Sequence, residues 1–228
     1  YKTAGYQAEE SELRIYAFSQ KQLKDEAGYA STLTQLVTRF PSKDYWADLL
    51  NSMGRAPGIS ARQQLDVSRL MEAAGTMEEA EDYFDTAQFA IKAGLPFEAL
   101  RVLEQGQSAG LYKGAHASNY AKLKQQAQQR AAEDDKALKS LSITSDNGST
   151  LVQLGDVLLS KGQWSEAVDA YQKALSKGGL KREPEVRLHG GIALFKAKQP
   201  EAAKAMLQSV AGDPSIVQMA SLWMSLIK

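Results

Sequence analysis

The chain has 228 residues, 43% hydrophobic and 24% charged, enough to bury a core beneath a solvated surface. Its 27 basic and 27 acidic residues give a formal net charge of zero, so we expect no long-range attraction to nucleic acid or anionic membranes. The absence of Cys excludes disulfides, thiolate metal sites and cysteine nucleophiles. No apolar run approaches the roughly 20 residues of a membrane-spanning helix, so we expect no membrane insertion.

The first two predicted units are helix pairs, at 9–41 and 43–75, in a chain where helical periodicity dominates and the predicted class is all-α. Apolar residues recur at helical spacing through the first unit, which ends at Pro41. In the second unit, Ser60 is the predicted N-cap of the second helix. The turn at 54–58 is rich in Gly and Pro, and we expect it to be about five residues longer than the turn of the usual repeat.

The third predicted unit, at 77–110, is a clearer helix pair whose second helix begins at Pro96, a residue that the first turn of a helix tolerates. The segment 114–141 differs from the units around it, because it is almost wholly polar beyond one narrow apolar stripe. It predicts a single long helix, and its length also fits a degenerate fourth repeat. The segment 142–149 is a turn-rich linker.

The clearest unit lies at 148–179 and contains the sequence TLVQLGDVLLSKGQWSEAVDAYQKALSKG. Its first helix carries Leu151, Leu154, Gly155 and Leu158, and its second carries Ala167, Tyr171 and Ala174. Small and large apolar residues at this spacing across two helices resemble the tetratricopeptide repeat, a helix–turn–helix unit of about 34 residues. The resemblance implies an architecture but does not name a ligand.

A last unit follows at 184–212, and the amphipathic segment 215–228 is predicted to cap the exposed apolar face of the terminal repeat. The resemblance implies a single domain over 1–228, folded as a right-handed α-α superhelix with a concave surface lined by the first helix of each pair. The inner-face positions that it implies, and that we take as candidate partner-binding residues, are Arg14, Phe18, Asn51, Phe84, Gln88, Lys92, Asp156 and Phe195. Ordinary packing and solvation are the competing interpretations of these positions.

No catalytic, metal or cofactor site is indicated by the sequence. The two histidines, His116 and His189, lie in different units and lack the spacing of a zinc motif. We interpret His189 as a packing or surface residue. No GxSxG turn is present, and the paired acidic residues lie in polar stretches where their pKa values should stay near normal. An enzyme with an unrecognised site is the least favoured hypothesis.

Four segments are similar to a group of exported bacterial tetratricopeptide proteins. They read FPSKDYWADLLNSMGRAPG at 40–58, LDVSRLMEAAGTM at 65–77, AGLPFEALRVLEQGQSAG at 93–110 and SKGGLKR at 176–182. This resemblance implies a periplasmic location, with the cytoplasm as the alternative, and no reaction or ligand comes with it. Because the sequence begins with Tyr1 rather than Met, we expect a processed form or a fragment.

Two functions follow from these patterns. The first is a non-enzymatic scaffold that binds a protein or peptide on its concave face. The second is a structural module that forms homodimers or larger homo-oligomers, either through Trp223, Met219 and Leu222 on the last helix or through apolar surface left exposed on the first repeat.

Overall fold

The computed structural model describes residues 7–138, 143 and 145–227, and within these ranges it contains twelve α-helices and no strand. The helices are α1 (Glu10–Gln22), α2 (Glu26–Arg39), α3 (Lys43–Gly54), α4 (Ala61–Ala74), α5 (Ala80–Lys92), α6 (Pro96–Ser108), α7 (Ala115–Leu138), α8 (Gly148–Ser160), α9 (Trp164–Lys177), α10 (Glu183–Lys196), α11 (Pro200–Gln208) and α12 (Pro214–Ser225). The predicted all-α class is confirmed.

Helices adjacent in sequence pack against each other in tandem, which makes a tetratricopeptide-like helical solenoid. Four of the five helix pairs use the same turn between their helices. The turn residue has a left-handed backbone, with φ between +56° and +79° at Lys24, Gly94, Gly162 and Lys198. In each turn the next amide donates to a carbonyl five residues earlier, as in a Schellman motif. One local structure therefore repeats along the solenoid.

The second pair, α3–α4, is the exception to this turn. The chain between Gly54 and Ala61 is longer, as the Gly and Pro residues there predict, and it ends at the predicted N-cap Ser60. The Ser60 hydroxyl accepts from the Gln63 amide, while the Gln63 side chain accepts from the Ser60 amide, which forms a capping box.

Glycine allows close contact between the two helices of the last two pairs. A Cβ atom on Gly155 would lie 2.6 Å from the Tyr171 ring, and one on Gly191 would lie 2.6 Å from Leu207. Each large partner is 16 residues beyond its glycine (171 − 155 and 207 − 191), so the same contact occurs at the same place in both repeats. The resemblance to the repeat therefore extends to packing.

The long polar segment forms one continuous helix, α7, that packs on α5 and α6. Up to residue 138 it contains no break and no second helix, so the alternative of a degenerate helix pair lacks support over the part of this unit that is described. The end of the predicted unit, at 139–141, lies outside the described residues, as do positions 142 and 144 of the predicted linker.

The C-terminal helices pack back onto the N-terminal ones. Besides its neighbours α10 and α11, helix α12 contacts α2 and α4, and α8 contacts α6. As a result, one hydrophobic core joins α1–α4 to α8–α12, and a second core lies mainly among α5, α6 and α7. None of the helices in the described ranges is both long enough and apolar enough to cross a membrane.

The residues proposed for self-assembly on the last helix are inside this core. Trp223 has no exposed surface, and Met219 and Leu222 are also buried. The prediction that these three side chains form a dimer surface is therefore wrong, because α12 uses them to cover the chain's own repeats.

Candidate functional site

The eight predicted inner-face residues divide between two environments. Six line open grooves among α1–α7, and two lie in the C-terminal repeats, where Asp156 is buried and Phe195 is half-buried. The difference arises because the C-terminal helices face α2, α4 and α6 of their own chain.

The α1–α3 groove lies between α1 and α3 and has a volume of about 520 Å³, with side chains of α2 at its base. Arg14 and Phe18 line one wall, and the Phe18 side chain is 65% exposed. On the opposite wall, the Tyr45 hydroxyl donates to Glu10 Oε1 at 2.7 Å, and this hydrogen bond raises the pKa of Tyr45. An exposed aromatic ring beside charged groups suits contact with a partner's side chains.

Asn51 lines a different opening, of about 760 Å³, between α2, α3 and the inserted turn. Arg55 and Pro57 of that turn and Gln218 of α12 also line it. The inserted turn therefore contributes to a concave surface. Most of the residues that line this surface do not line the α1–α3 groove.

The α5–α7 groove has a volume of about 410 Å³ and holds the remaining three predicted residues, Phe84, Gln88 and Lys92. They form the α5 wall. The α7 wall is polar and basic, and the complete lining is Phe84, Gln88, Ile91, Lys92, Asn119, Lys122, Leu123, Gln126 and Arg130. The long polar helix is thus one side of a groove rather than an isolated connector.

Asp156 is buried and Phe195 is half-buried, and each contacts other side chains of its own chain. Asp156 is only 8% exposed, and its Oδ1 accepts a hydrogen bond from the Tyr171 hydroxyl at 2.8 Å. Phe195 packs edge-on against Trp223, with ring centroids 5.3 Å apart. The chain itself therefore covers the predicted inner-face position of Asp156, which we exclude from the partner surface, and covers that of Phe195 in part.

Helix α4 supplies most of the groups that fill this face. Arg62, Asp66 and Arg69 follow one another at spacings of four and three residues and therefore lie on one side of the helix. Arg62 Nη1 contacts Asp156 Oδ2 at 3.3 Å, and Asp66 Oδ1 contacts His189 Nε2 at 3.1 Å. The inner surface of α8 and α10 is therefore in contact with a polar stripe of α4.

His189 lies at the centre of this contact and is 3% exposed, so its interpretation as a surface residue is wrong and that as a packing residue is confirmed. Its Nδ1 lies 3.2 Å from Asp156 Oδ1, opposite the contact between Nε2 and Asp66. Burial alone would lower the pKa of His189, but the two carboxylates outweigh it and raise the pKa to about 9. The imidazole is therefore protonated at neutral pH and donates to a carboxylate on each side.

Arg69 extends the same contact toward α6. Its Nη1 donates to Asp66 Oδ1 at 2.8 Å, while Nε and Nη2 donate to the two oxygens of Glu98 at 2.9 Å and 2.6 Å. These three residues are buried. A bidentate Arg–carboxylate pair of this kind fixes both distance and orientation between helices.

A second group of charges continues the contact at its edge. Arg101 Nη1 donates to Glu72 Oε1 at 2.8 Å, and Lys196 Nζ lies 3.4 Å from Glu72 Oε2. Burial would raise the pKa of Glu72, but Arg101 and Lys196 lower it to about 2. We call the whole set the ionic network. Its members are Arg62, Asp66, Arg69, Glu72, Glu98, Arg101, Asp156, His189 and Lys196.

The ionic network has the chemistry of a structural contact. His189 is 3% exposed, and each of its ring nitrogens lies within hydrogen-bond distance of a carboxylate of the same chain. Over the described ranges, no three or more His, Asp or Glu side chains form a group that could hold a metal ion. The other histidine, His116, is exposed on α7 with its Nε2 3.7 Å from Glu81.

The sequence contained a signal for this contact that was missed. The apolar periodicity of α4 is interrupted on one side of the helix by Arg62, Asp66 and Arg69. This pattern is equally compatible with a charged face exposed to solvent and with a charged face buried against other helices. Only the return of α8–α12 onto α4 decides between them.

The fold and the grooves define a class of protein, a tandem helix-pair solenoid with concave surfaces. Residues 149–177, which form most of the α8–α9 pair, match the family model of the tetratricopeptide repeat. No curated protein sequence matches the chain. The matched segment coincides with the unit that the sequence pattern identified most clearly, so the chain contains at least this repeat by both criteria.

Proposed function

We propose that this protein is a non-enzymatic scaffold that binds a protein or peptide partner in the grooves of its N-terminal half. Tetratricopeptide repeats typically serve as interaction scaffolds, and the match at 149–177 supports this general class. The observation that carries the more specific proposal is the contrast between the two halves. The α1–α3 and α5–α7 grooves are open, whereas the inner face of α8 and α10 is filled by α4.

The test is a peptide-array screen with the whole chain, followed by affinity measurements on the peptides it selects. We expect Phe18→Ala or Phe84→Ala to weaken binding by about tenfold, since an aromatic contact at a binding surface contributes on the order of 1 kcal/mol or more. Lys173→Ala, at an exposed position of α9, is the control and should leave affinity unchanged. If neither aromatic substitution affects any selected peptide more than the control, binding in these grooves is refuted.

Self-assembly is the second candidate, and one observation favours it. Four large apolar side chains are exposed on or just after α1: Ile15, Tyr16, Phe18 and Leu23. Concentrated exposed apolar surface often marks an interaction site. Sedimentation over a range of concentrations tests the idea with Ile15→Ser as the variant. A strict monomer at every concentration would reject it, and a dimer that Ile15→Ser abolishes would support it.

We also propose a location in the bacterial cell envelope. Its support is the resemblance of the four segments at 40–58, 65–77, 93–110 and 176–182 to exported tetratricopeptide proteins, together with the absence of Cys. Fractionation of cells that express the native gene tests it. Recovery with cytoplasmic markers, rather than with envelope markers, would contradict the proposal.

A further inference from the structure

The α5–α7 groove combines basic, amide and apolar side chains. Its cations are Lys92, Lys122 and Arg130, its amides are Gln88, Asn119 and Gln126, and its apolar residues are Phe84, Ile91 and Leu123. No carboxylate is among the residues that line it. In a chain with a net charge of zero, this groove is a local concentration of positive charge.

The three cations are not neutralised by ion pairs within the protein. Lys92 and Lys122 are exposed, and no carboxylate of the described residues lies within 4.0 Å of either amino group. Arg130 donates from Nη1 to the Ile91 carbonyl at 3.2 Å, which holds its side chain across the groove toward α5. Cations that line one groove without a carboxylate in direct contact favour an anionic ligand.

Two acidic residues lie near the groove without lining it. Asp85 on α5 is close enough to interact with Lys92, and Asp134 on α7 with Arg130. Neither carboxylate lines the groove. They offset part of the positive charge of Lys92 and Arg130, and the lining itself remains free of carboxylates.

The apolar part of the groove favours a peptide over a small anion. Ile91 and Leu123 are buried beneath it, and Phe84 is half-buried on its wall. Amide side chains such as Gln88 and Asn119 can both donate to and accept from a peptide backbone. Helix α5 has 13 residues and is about 20 Å long, a distance that an extended peptide of about six residues covers.

We propose that the α5–α7 groove binds an extended acidic segment of a partner protein, with its carboxylates beside Lys92, Lys122 and Arg130 and an apolar side chain against Phe84. This proposal rests on the scaffold function proposed above and names the partner chemistry for one of its two grooves.

The α1–α3 groove provides an internal contrast. It is lined by three carboxylates, Glu10, Asp44 and Asp48, and by two cations, Arg14 and Lys21. An acidic segment is therefore repelled there and attracted to the α5–α7 groove. Specificity between the two grooves comes from this repulsion as much as from the attraction.

The experiment measures fluorescence anisotropy of the whole chain with labelled peptides that have blocked ends. One peptide alternates Glu or Asp with Leu, a second replaces its acidic residues by Lys, and a third replaces them by Gln. The variant is Lys92→Glu with Lys122→Glu. The matched control, Lys173→Glu with Lys204→Glu, makes the same change in net charge at two exposed lysines on α9 and α11.

We expect the acidic peptide to bind at least tenfold more tightly than the Lys peptide. The Lys92→Glu/Lys122→Glu variant should lose at least tenfold in affinity, the control less than twofold, and affinity should fall as salt rises. Equal binding of the acidic and Lys peptides, or equal effects of variant and control, would overturn the proposal. Tighter binding of single-stranded RNA, or of vesicles that contain phosphatidylserine, would also overturn it.

Failure of this proposal can be told apart from failure of the scaffold function. If the array selects neutral or basic peptides whose binding Phe84→Ala weakens, the groove is a binding site but acidic selectivity is wrong. If neither Phe84→Ala nor Phe18→Ala affects any selected peptide, the scaffold function itself is rejected, and the proposal for the α5–α7 groove with it.

Discussion

The N-terminal half of this solenoid (α1–α7) and the C-terminal half (α8–α12) each have an inner face formed by the repeat pattern. The first face is open, and the second is filled by the chain itself. In the N-terminal half, α1, α3, α5 and α7 leave grooves that are open between them. In the C-terminal half, the corresponding faces of α8 and α10 are in contact with α4 of the same chain. The repeat pattern therefore specifies where a concave face forms. Whether a partner can reach that face depends on contacts between distant repeats.

Helix α4 fills the inner face of α8 and α10, as a bound partner helix would fill a groove. Helix α4 presents one side, carrying Arg62, Asp66 and Arg69, to the inner surface of the following repeats. Its charges are paired rather than solvated, and the pairs connect residues as far apart in sequence as Asp66 and His189. Buried ion pairs contribute less to stability than their number suggests, because removing the charges from water costs energy, but they define a single arrangement of the two halves.

The strongest test of the contrast is Arg69→Met. The substitution removes the bidentate partner of the buried Glu98 and one of the two partners of Asp66, and breaking a buried pair from one side costs about 3–5 kcal/mol. Arg14→Met, on the exposed wall of the α1–α3 groove, is the matched control and should cost less than about 0.5 kcal/mol. Urea unfolding measures both free energies. Similar costs for the two variants would mean that the ionic network does not hold the halves together.

The second test uses pH and His189→Gln. Because the pKa of His189 is raised from 6.5 to about 9 in the folded chain, its stabilisation is complete below pH 6.5 and is lost as the pH rises through 9. A difference of this size in pKa corresponds to roughly 3 kcal/mol of unfolding free energy. The wild type should therefore lose stability between pH 7 and 10, while His189→Gln lacks this loss.

Comparing the two proteins at each pH separates His189 from the other groups that titrate at alkaline pH. Lys196 contributes in the opposite direction, since burial lowers its pKa and the folded chain favours its neutral form as the pH rises. It is present in both proteins, so its effect cancels in the difference. Parallel pH profiles for the wild type and His189→Gln would show that the imidazole is not held protonated.

The sequence predicts the local features of this fold but not the contacts between distant repeats. Periodicity and punctuation predicted the helix pairs, because each pair is stabilised by contacts between residues close in sequence, such as Gly155 with Tyr171. The cap at Ser60 followed from the same local rules, and the groove positions of Phe18 and Phe84 followed from the resemblance to the repeat. The covered positions of Asp156 and Phe195 did not, since Asp156 contacts Arg62, 94 residues earlier in the chain, and Phe195 packs on Trp223 of α12. No local pattern contains that information.

A smaller effect is expected where the two halves meet beside α7. Lys161 Nζ lies 4.1 Å from the centre of the Phe97 ring on α6 and 2.7 Å from Asp135 Oδ1 on α7. Both contacts are partly exposed, so Lys161→Ala should reduce the free energy of unfolding by about 0.5–1 kcal/mol. Lys173→Ala, exposed on α9, should change it by less than about 0.5 kcal/mol. Thermal unfolding at low salt measures both variants. Equal changes in stability for Lys161→Ala and Lys173→Ala would show that these contacts do not stabilise the junction.

The smallest effect on stability is expected for Phe18→Ala, and its comparison with Phe195→Ala is the most direct test of the two faces. The resemblance to the tetratricopeptide repeat implies an inner-surface position for both phenylalanines. Phe18 is 65% exposed in the open groove, so its loss should change the free energy of unfolding by less than about 0.5 kcal/mol while weakening partner binding. Phe195 packs on Trp223, and its truncation should cost about 2 kcal/mol, less than for a fully buried ring, with no direct effect on binding.

Calorimetry and peptide affinity on the same two variants would separate these outcomes. Equal losses of stability would show that the inner face is filled in both halves, and equal losses of affinity would show that it is open in both.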